Sequence, residues 1–267
     1  MRGTFNPTTG ASSGQADGPV LDDPARDGSA PSGPVLDAIA AYDQVAPGFR
    51  ELSARRRAYL DAVDAEILRL VPKPADSLID VGAGDGRRAL QIAASAHLSR
   101  VVLVEPSAGM RELIPAGVEV WADRMEALPD RRMTFDVVMC LWNVLGHVPT
   151  PELRVLALRN LKRLCAPGGL IFLDVLNRYN VAECGVRVVL LRLVSPGWNG
   201  DVPVKWRTEA GEVETRGHVF TRGEMEGLFR KSGLSVVERR VLDYRTGRKR
   251  AWAVGGNFFY VLRSGEV

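Results

Sequence analysis

Three glycines at alternate positions, Gly82, Gly84 and Gly86, close the run Leu78-Ile79-Asp80-Val81 and open the run Arg88-Ala89-Leu90-Gln91-Ile92-Ala93. The apolar, β-branched residues before the glycines read as a buried strand, and the run after them reads as a helix. Strand, tight turn and helix in this order predict the opening of a nucleotide-binding α/β unit. Glycine suits such a turn because it adopts unusual φ/ψ values and lets the backbone approach a ligand closely. The spacing narrows the ligand. A dinucleotide fingerprint needs a glycine three residues after Gly84, and Arg87 stands there.

The rest of the chain bounds what this unit sits in. Its 267 residues suit one α/β domain with an insertion or a small cap. A net charge of +3, from 35 basic against 32 acidic residues, is too even to imply nucleic acid. The three cysteines, Cys140, Cys165 and Cys184, show no metal-ligand spacing, so no metal is expected. Cys140 and Cys165 lie in apolar runs and read as reduced core thiols of a cytoplasmic protein. No apolar run reaches the length of a membrane span. Residues 1–34 are rich in Gly, Pro, Ser, Asp and Thr and nearly free of large apolar residues, a composition that predicts a disordered tail.

Structure is expected from Val35. A stripe of Leu36, Ile39, Tyr42 and Val45 predicts a short helix, and a second helix is expected from about Phe49 to Leu70, ended by Pro72 and Pro74. Strands follow at 77–81, 100–104 (ending in Glu105), 118–121, 135–140 and 170–175. A helix over 151–164 precedes Ala166-Pro167-Gly168-Gly169, read as its stop. Further on, 212–220 alternates as a strand, and Thr221-x-x-Glu224 is a capping box opening a helix that Gly233 ends. Strands at 234–241 and 256–262 close the chain.

The pattern D-x-G-x-G-x-G from Asp80 to Gly86 resembles motif I of the class I S-adenosylmethionine (SAM)-dependent methyltransferases. Four further stretches, in order, resemble the same family, in its small-molecule branch. Tyr42-Asp43-Gln44-Val45-Ala46-Pro47-Gly48-Phe49 is similar to the segment that precedes motif I, with Phe49 where the pattern has a second tyrosine. Glu105 and Asp123 end successive strands, and Leu164–Gly169 matches the family's helix-to-strand motif. Leu141–Val148 resembles the loop of amine and amino-sugar N-methyltransferases that carries a histidine.

The resemblance implies a Rossmann-like α/β fold: a seven-stranded, mostly parallel sheet of order 3-2-1-4-5-7-6, helices on both faces and a small cap. It implies a domain over 35–267, with N-terminal helices at 35–72 and a cap-like insertion at 177–212. The cofactor would be SAM, leaving as S-adenosylhomocysteine. Asp80, Gly82, Gly84, Glu105, Asp123, Arg124 and Leu141 would hold it, with Glu105 on the ribose hydroxyls and Asp123 and the Arg124 N–H at the adenine. Tyr42, His147 and Asn177 fall on the acceptor side.

Each assignment has a plainer counterpart. Tyr42 also suits a helix–helix seam, Asp123 a turn cap before Met125, and His147 the backbone groups of a helix start. Trp198 and Trp206 suit either a pocket or a core. The expected reaction is methyl transfer to an N or O of a small molecule. The motif that marks amino-methylating DNA and glutamine enzymes is replaced by Leu141-Trp142-Asn143-Val144, so nucleic acid is not the expected partner. Two alternatives stand beside this. An RNA methyltransferase would track phosphates with Arg55–Arg57 and Arg245–Arg250, and a non-catalytic SAM-fold protein would serve as a partner subunit. A homodimer is left open.

Overall fold

The computed structural model describes residues 20–21, 35–195, 197–208 and 211–265. The tail expected over 1–34 lies outside the described residues apart from Val20–Leu21 (β1), a short strand opposite Val204 and Lys205.

Seven strands form the main sheet: β2 (Ser77–Val81), β3 (Arg100–Val104), β4 (Glu119–Trp121), β5 (Phe135–Cys140), β6 (Cys165–Val175), β9 (Leu234–Leu242) and β10 (Asn257–Ser264). They lie in the order β4-β3-β2-β5-β6-β10-β9. Counted along this sheet alone, that is 3-2-1-4-5-7-6. The first five are parallel, and β10 enters antiparallel between β6 and β9.

Alternation along the strands builds two cores, one on each face. Ile79, Val81, Val138 and Cys140 face α6 (Pro151–Leu164) and α9 (Arg222–Ser232), which contribute Leu158, Leu161, Met225 and Phe229. Leu78, Val137 and Met139 face the other way, onto Tyr59, Val63 and Ile67 of α3 (Arg57–Leu70) and Ala89 and Ile92 of α4 (Arg87–Ala96). The helix ends are fixed as the sequence implies. Thr150 caps α6 by accepting from the Leu153 N–H, both halves of the Thr221–Glu224 capping box are made, and Gly233 stops α9 at φ +68°.

Three elements differ from expectation. The helix expected from Phe49 to Leu70 is two, α2 (Phe49–Ala54) and α3. Arg56 breaks it at φ −108° and ψ 13°, with its guanidinium 2.9 Å from Glu183 and 4.2 Å over the Tyr244 ring. No proline or glycine marks that break; tertiary contacts make it. Next, β6 begins at Cys165 rather than Leu170, because 166–169 bulge out between two pairings with β5, Phe135 with Cys165 and Val137 with Leu170.

Finally, the strand read at 212–220 does not join the main sheet. It is β8 (Gly211–His218), paired in full register with β7 (Asp201–Thr208), and with β1 these form a separate three-stranded sheet. Ahead of β7 come two helices, α7 (Val181–Cys184) and α8 (Val186–Val194). The small sheet packs with α1 (Ala38–Val45) through Ala41, Val45, Val202, Val204, Trp206 and Val213. Trp206 and Tyr42 belong to this assembly, which stands at the carboxyl ends of the parallel strands, where such sheets bind ligands. Among the described residues no helix is long and apolar enough to cross a membrane.

Candidate active site

The site begins at the turn after β2. Gly82 and Gly84 have φ of +81° and +59°, values that L side chains rarely adopt. A Cβ on Gly82 would drive into the Val144 methyls, and one on Gly84 would press the Phe49 ring. The turn is held to the next strand, since the Gly82 and Ala83 N–H groups both donate to the Val104 carbonyl, at 2.8 and 3.1 Å. Beside it, Glu105 accepts from the Gly84 N–H through one oxygen and from the Ser107 N–H through the other, each at 2.8 Å. Burial pushes the Glu105 carboxyl up to about 7, with those two N–H groups holding it back.

Asp80 is buried near the end of β2, and nothing among the described residues donates to its Oδ1. Burial raises its carboxyl to about 7, opposed by the nearby Arg88 guanidinium, itself tied to Asp64 at 3.1 Å. A buried carboxylate oxygen without a partner is costly, so this atom marks a place for a donor brought by a ligand.

The loop after β5 is wound into unusual backbone. Trp142 and Asn143 take φ of +59° and +61°, which costs on the order of 1–3 kcal/mol each and persists only where the surroundings hold it. They are fixed. The Trp142 N–H donates to Asp174 Oδ1, and its indole N–H donates to the Tyr244 hydroxyl at 2.9 Å. Asn143 Oδ1 accepts from the Leu176 N–H at 3.0 Å. Asp174, at the end of β6, also accepts from the Tyr59 hydroxyl at 2.6 Å, and burial raises its carboxyl.

His147 follows in the same loop. Its Nδ1 lies 3.3 Å from the Arg216 carbonyl, an atom that can only accept, so Nδ1 carries the proton. That leaves Nε2 as the acceptor for the Tyr42 hydroxyl at 3.2 Å. Burial lowers the His147 pKa, so the ring is neutral with a lone pair facing the site. The Tyr42 ring meets His147 edge-on at 5.4 Å and Trp206 at 5.4 Å.

Three cavities meet here. The first, about 790 Å3 with its open mouth, is lined by Gly82, Gly84, Glu105, Asp123, Arg124 and Leu141, and it reaches Tyr42 and His147. The second runs past Asp80, Asp85, Arg87 and Arg88, and the third lies beneath β7 of the small sheet, at Val204 and Trp206. All three are bordered by Phe49 and Trp142, whose ring centroids are 5.7 Å apart.

The structure therefore brings together Tyr42, Gly82, Gly84, Glu105, Asp123, Arg124, Leu141 and His147, with Asp80 beneath the turn. Asp123 is held 2.8 Å from Arg131, and the Arg124 side chain reaches Asp37 at the start of α1 at 2.9 Å. Asn177 is the exception. It is buried away from all three cavities and donates its amide to the Ala253 and Gly256 carbonyls at 2.6 and 2.9 Å. Its amide pins the end of β6 to the start of β10 rather than facing a cavity. Phe49, Trp142, Asp174, Trp206 and Tyr244 were not chosen as site residues from sequence. Phe49 and Trp142 stand inside motifs already legible there, and Asp174 is a lone acid in an otherwise apolar strand.

A methyltransferase domain model matches residues 53–239, more than half of the chain, and the chain belongs to that family. No curated protein matches the sequence. Among solved structures, the fold is similar to the CcbJ methyltransferase from Streptomyces caelestis, at 20% identity over 77% of this chain and 90% of that one, TM-score 0.58. It is also similar to SAM-bound CalS10, an amino pentose methyltransferase from Micromonospora echinaspora, at 21% identity over 81% and 96%, TM-score 0.53. A third is the 1,6-didemethyltoxoflavin-N1-methyltransferase of Burkholderia thailandensis, at 16% identity over 89% and 93%, TM-score 0.56.

Proposed function

We propose that this methyltransferase uses S-adenosylmethionine and methylates a nucleophilic N or O of a small molecule held between Trp142, His147 and the cap. The observation that carries the reading is the junction of three cavities at Phe49 and Trp142. The first offers a nucleoside Glu105, Asp123 and the Arg124 backbone. The second offers an amino-acid end the unpartnered Asp80 oxygen together with Arg87 and Arg88. The residues fit the cofactor: bare glycines where the backbone must come close, and buried acids at both of its polar ends. When bound, SAM supplies a methyl carbon activated by a sulfonium.

The chain's own residues then have three tasks. Phe49 and the cap exclude water, which strengthens every polar contact inside. Trp142 and Tyr42 hold the acceptor in line, a contribution of orientation rather than covalent chemistry. His147 Nε2 takes the acceptor's proton directly or through the Tyr42 hydroxyl, and the Arg216 carbonyl stabilises the ring that receives it.

A small acceptor is supported by where the cations go. Arg55, Arg56 and Arg57 pair with Glu51, Glu183 and Asp61. Lys249 pairs with Glu66 and Arg250 with Asp243. The Arg55–Arg57 run is therefore not left as an open phosphate track. The reading includes the domain limits 35–267 and a cytoplasmic location, where Cys140 and Cys165, both buried, stay as thiols. The test is to compare SAM affinity in wild type, Glu105→Ala and Asp123→Ala. Weaker binding in both variants with the fold retained is expected, and unchanged affinity would remove the nucleoside assignment.

A further inference from the structure

We infer that the acceptor presents an uncharged flat ring, bearing or adjoining its nucleophile, to the chamber under the cap, and that Trp206 selects it. This rests on the methyltransferase reading above. The chamber has about 550 Å3 with its open mouth. Six rings line it: Tyr42, Phe49, Trp142, His147, Trp206 and Tyr244. Its remaining described lining is Leu52, Leu176, Val204 and Asn143, and the Asn143 amide is already used by the Leu176 N–H and the His218 carbonyl.

No lining residue is a lysine, arginine, aspartate or glutamate. A phosphate or carboxylate entering here would lose its water and find no cation, and an ammonium would find no carboxylate. Either is expensive in so buried a space. A flat neutral ring meets no such cost, and it gains dispersion and edge or face contacts from each wall. The charged groups of the site stand on the cofactor side, Glu105, Asp123 and Arg124 in the first cavity and Asp64, Asp80, Arg87 and Arg88 in the second.

The proton balance agrees. An uncharged N–H or O–H acceptor uses a lone pair to bond the methyl carbon, while the carbon–sulfur electron pair stays with sulfur. The acceptor's proton is then surplus in a chamber that penalises charge, and His147 Nε2 is the neutral base facing it. Trp206 is the wall that the cap supplies. It is buried on β7, 5.4 Å from the Tyr42 ring and nearly parallel to His147 at 6.4 Å.

The test is calorimetry on the full chain saturated with S-adenosylhomocysteine. The probes are 4-aminophenol, as the uncharged arene, and a uridine-diphosphate-linked hexose, as the charged ligand. The arene is expected to bind and the nucleotide-linked hexose to fail. Trp206→Ala should weaken arene binding about tenfold with S-adenosylhomocysteine affinity unchanged, and Trp206→Phe should restore most of it. Binding of the charged probe alone, or an arene affinity indifferent to Trp206→Ala, would overturn the inference while leaving the cofactor reading intact. Failure of wild type to bind S-adenosylhomocysteine would overturn both.

Discussion

Asp80 and Glu105 lie at the carboxyl ends of neighbouring parallel strands, and burial pushes both carboxyls up to about 7. An acid with a raised folded pKa binds its proton more tightly when folded. Its contribution is therefore most favourable near the ordinary values of 3.8 and 4.5 and is lost as pH rises towards 7. His147, held neutral by burial, acts with the opposite sign near its ordinary 6.5, so the readout must be a difference. Between about pH 5 and about pH 7, the stability of ligand-free wild type should fall relative to Asp80→Asn in denaturant titrations. Parallel curves would show that Asp80 is not held protonated. His147→Ala should lower kcat about 100-fold and leave S-adenosylhomocysteine affinity unchanged, measured by turnover and calorimetry. Equal losses in both would make the ring a structural prop of the loop, and unaltered kinetics would remove its chemical role.

At the scale of elements, α9 tests whether local rules carry the fold. Thr221→Ala removes one half of the capping box and should cost about 1 kcal/mol in chemical denaturation without touching ligand affinity. Asn177→Ala should cost more, about 1–3 kcal/mol, because the Ala253 carbonyl and the buried Gly256 carbonyl lose their donor. KM should stay the same. A raised KM at unchanged stability would return Asn177 to the acceptor side. The Asn177 example shows where sequence reading stops. Position after β6 put it near the site, but only tertiary packing decides that its amide turns to β10. By contrast, the strands around Gly82–Gly86, the Glu105 strand end and the Thr221 cap were legible, because period, glycine turns and caps are local signals. The break at Arg56 was not, since it depends on Glu183 and Tyr244, far along the chain; the β7–β8 hairpin is local, but no local signal sets it apart from the main sheet.

At the scale of the molecule, the parallel sheet supplies the floor of the site, and α1 with the small sheet supplies its roof. The roof is latched from one side: Asp43 accepts from the Ser107 hydroxyl at 2.6 Å and the Gly109 N–H at 2.9 Å, and Asp37 meets Arg124 at 2.9 Å. These contacts place Tyr42 against His147 and Trp206 over the acceptor chamber. The resemblance implied a cap, and Trp206 stood open between pocket and core, because a tryptophan in an alternating strand reads equally as either. The central claim is that floor and roof together enclose a sulfonium nucleoside beside an acceptor. Calorimetric titration of the wild-type chain with SAM and with S-adenosylhomocysteine, using NAD as control, tests it most directly. Binding of both sulfur ligands in the micromolar range, and none of NAD, is the predicted result; binding of NAD, or of none of the three, would contradict it.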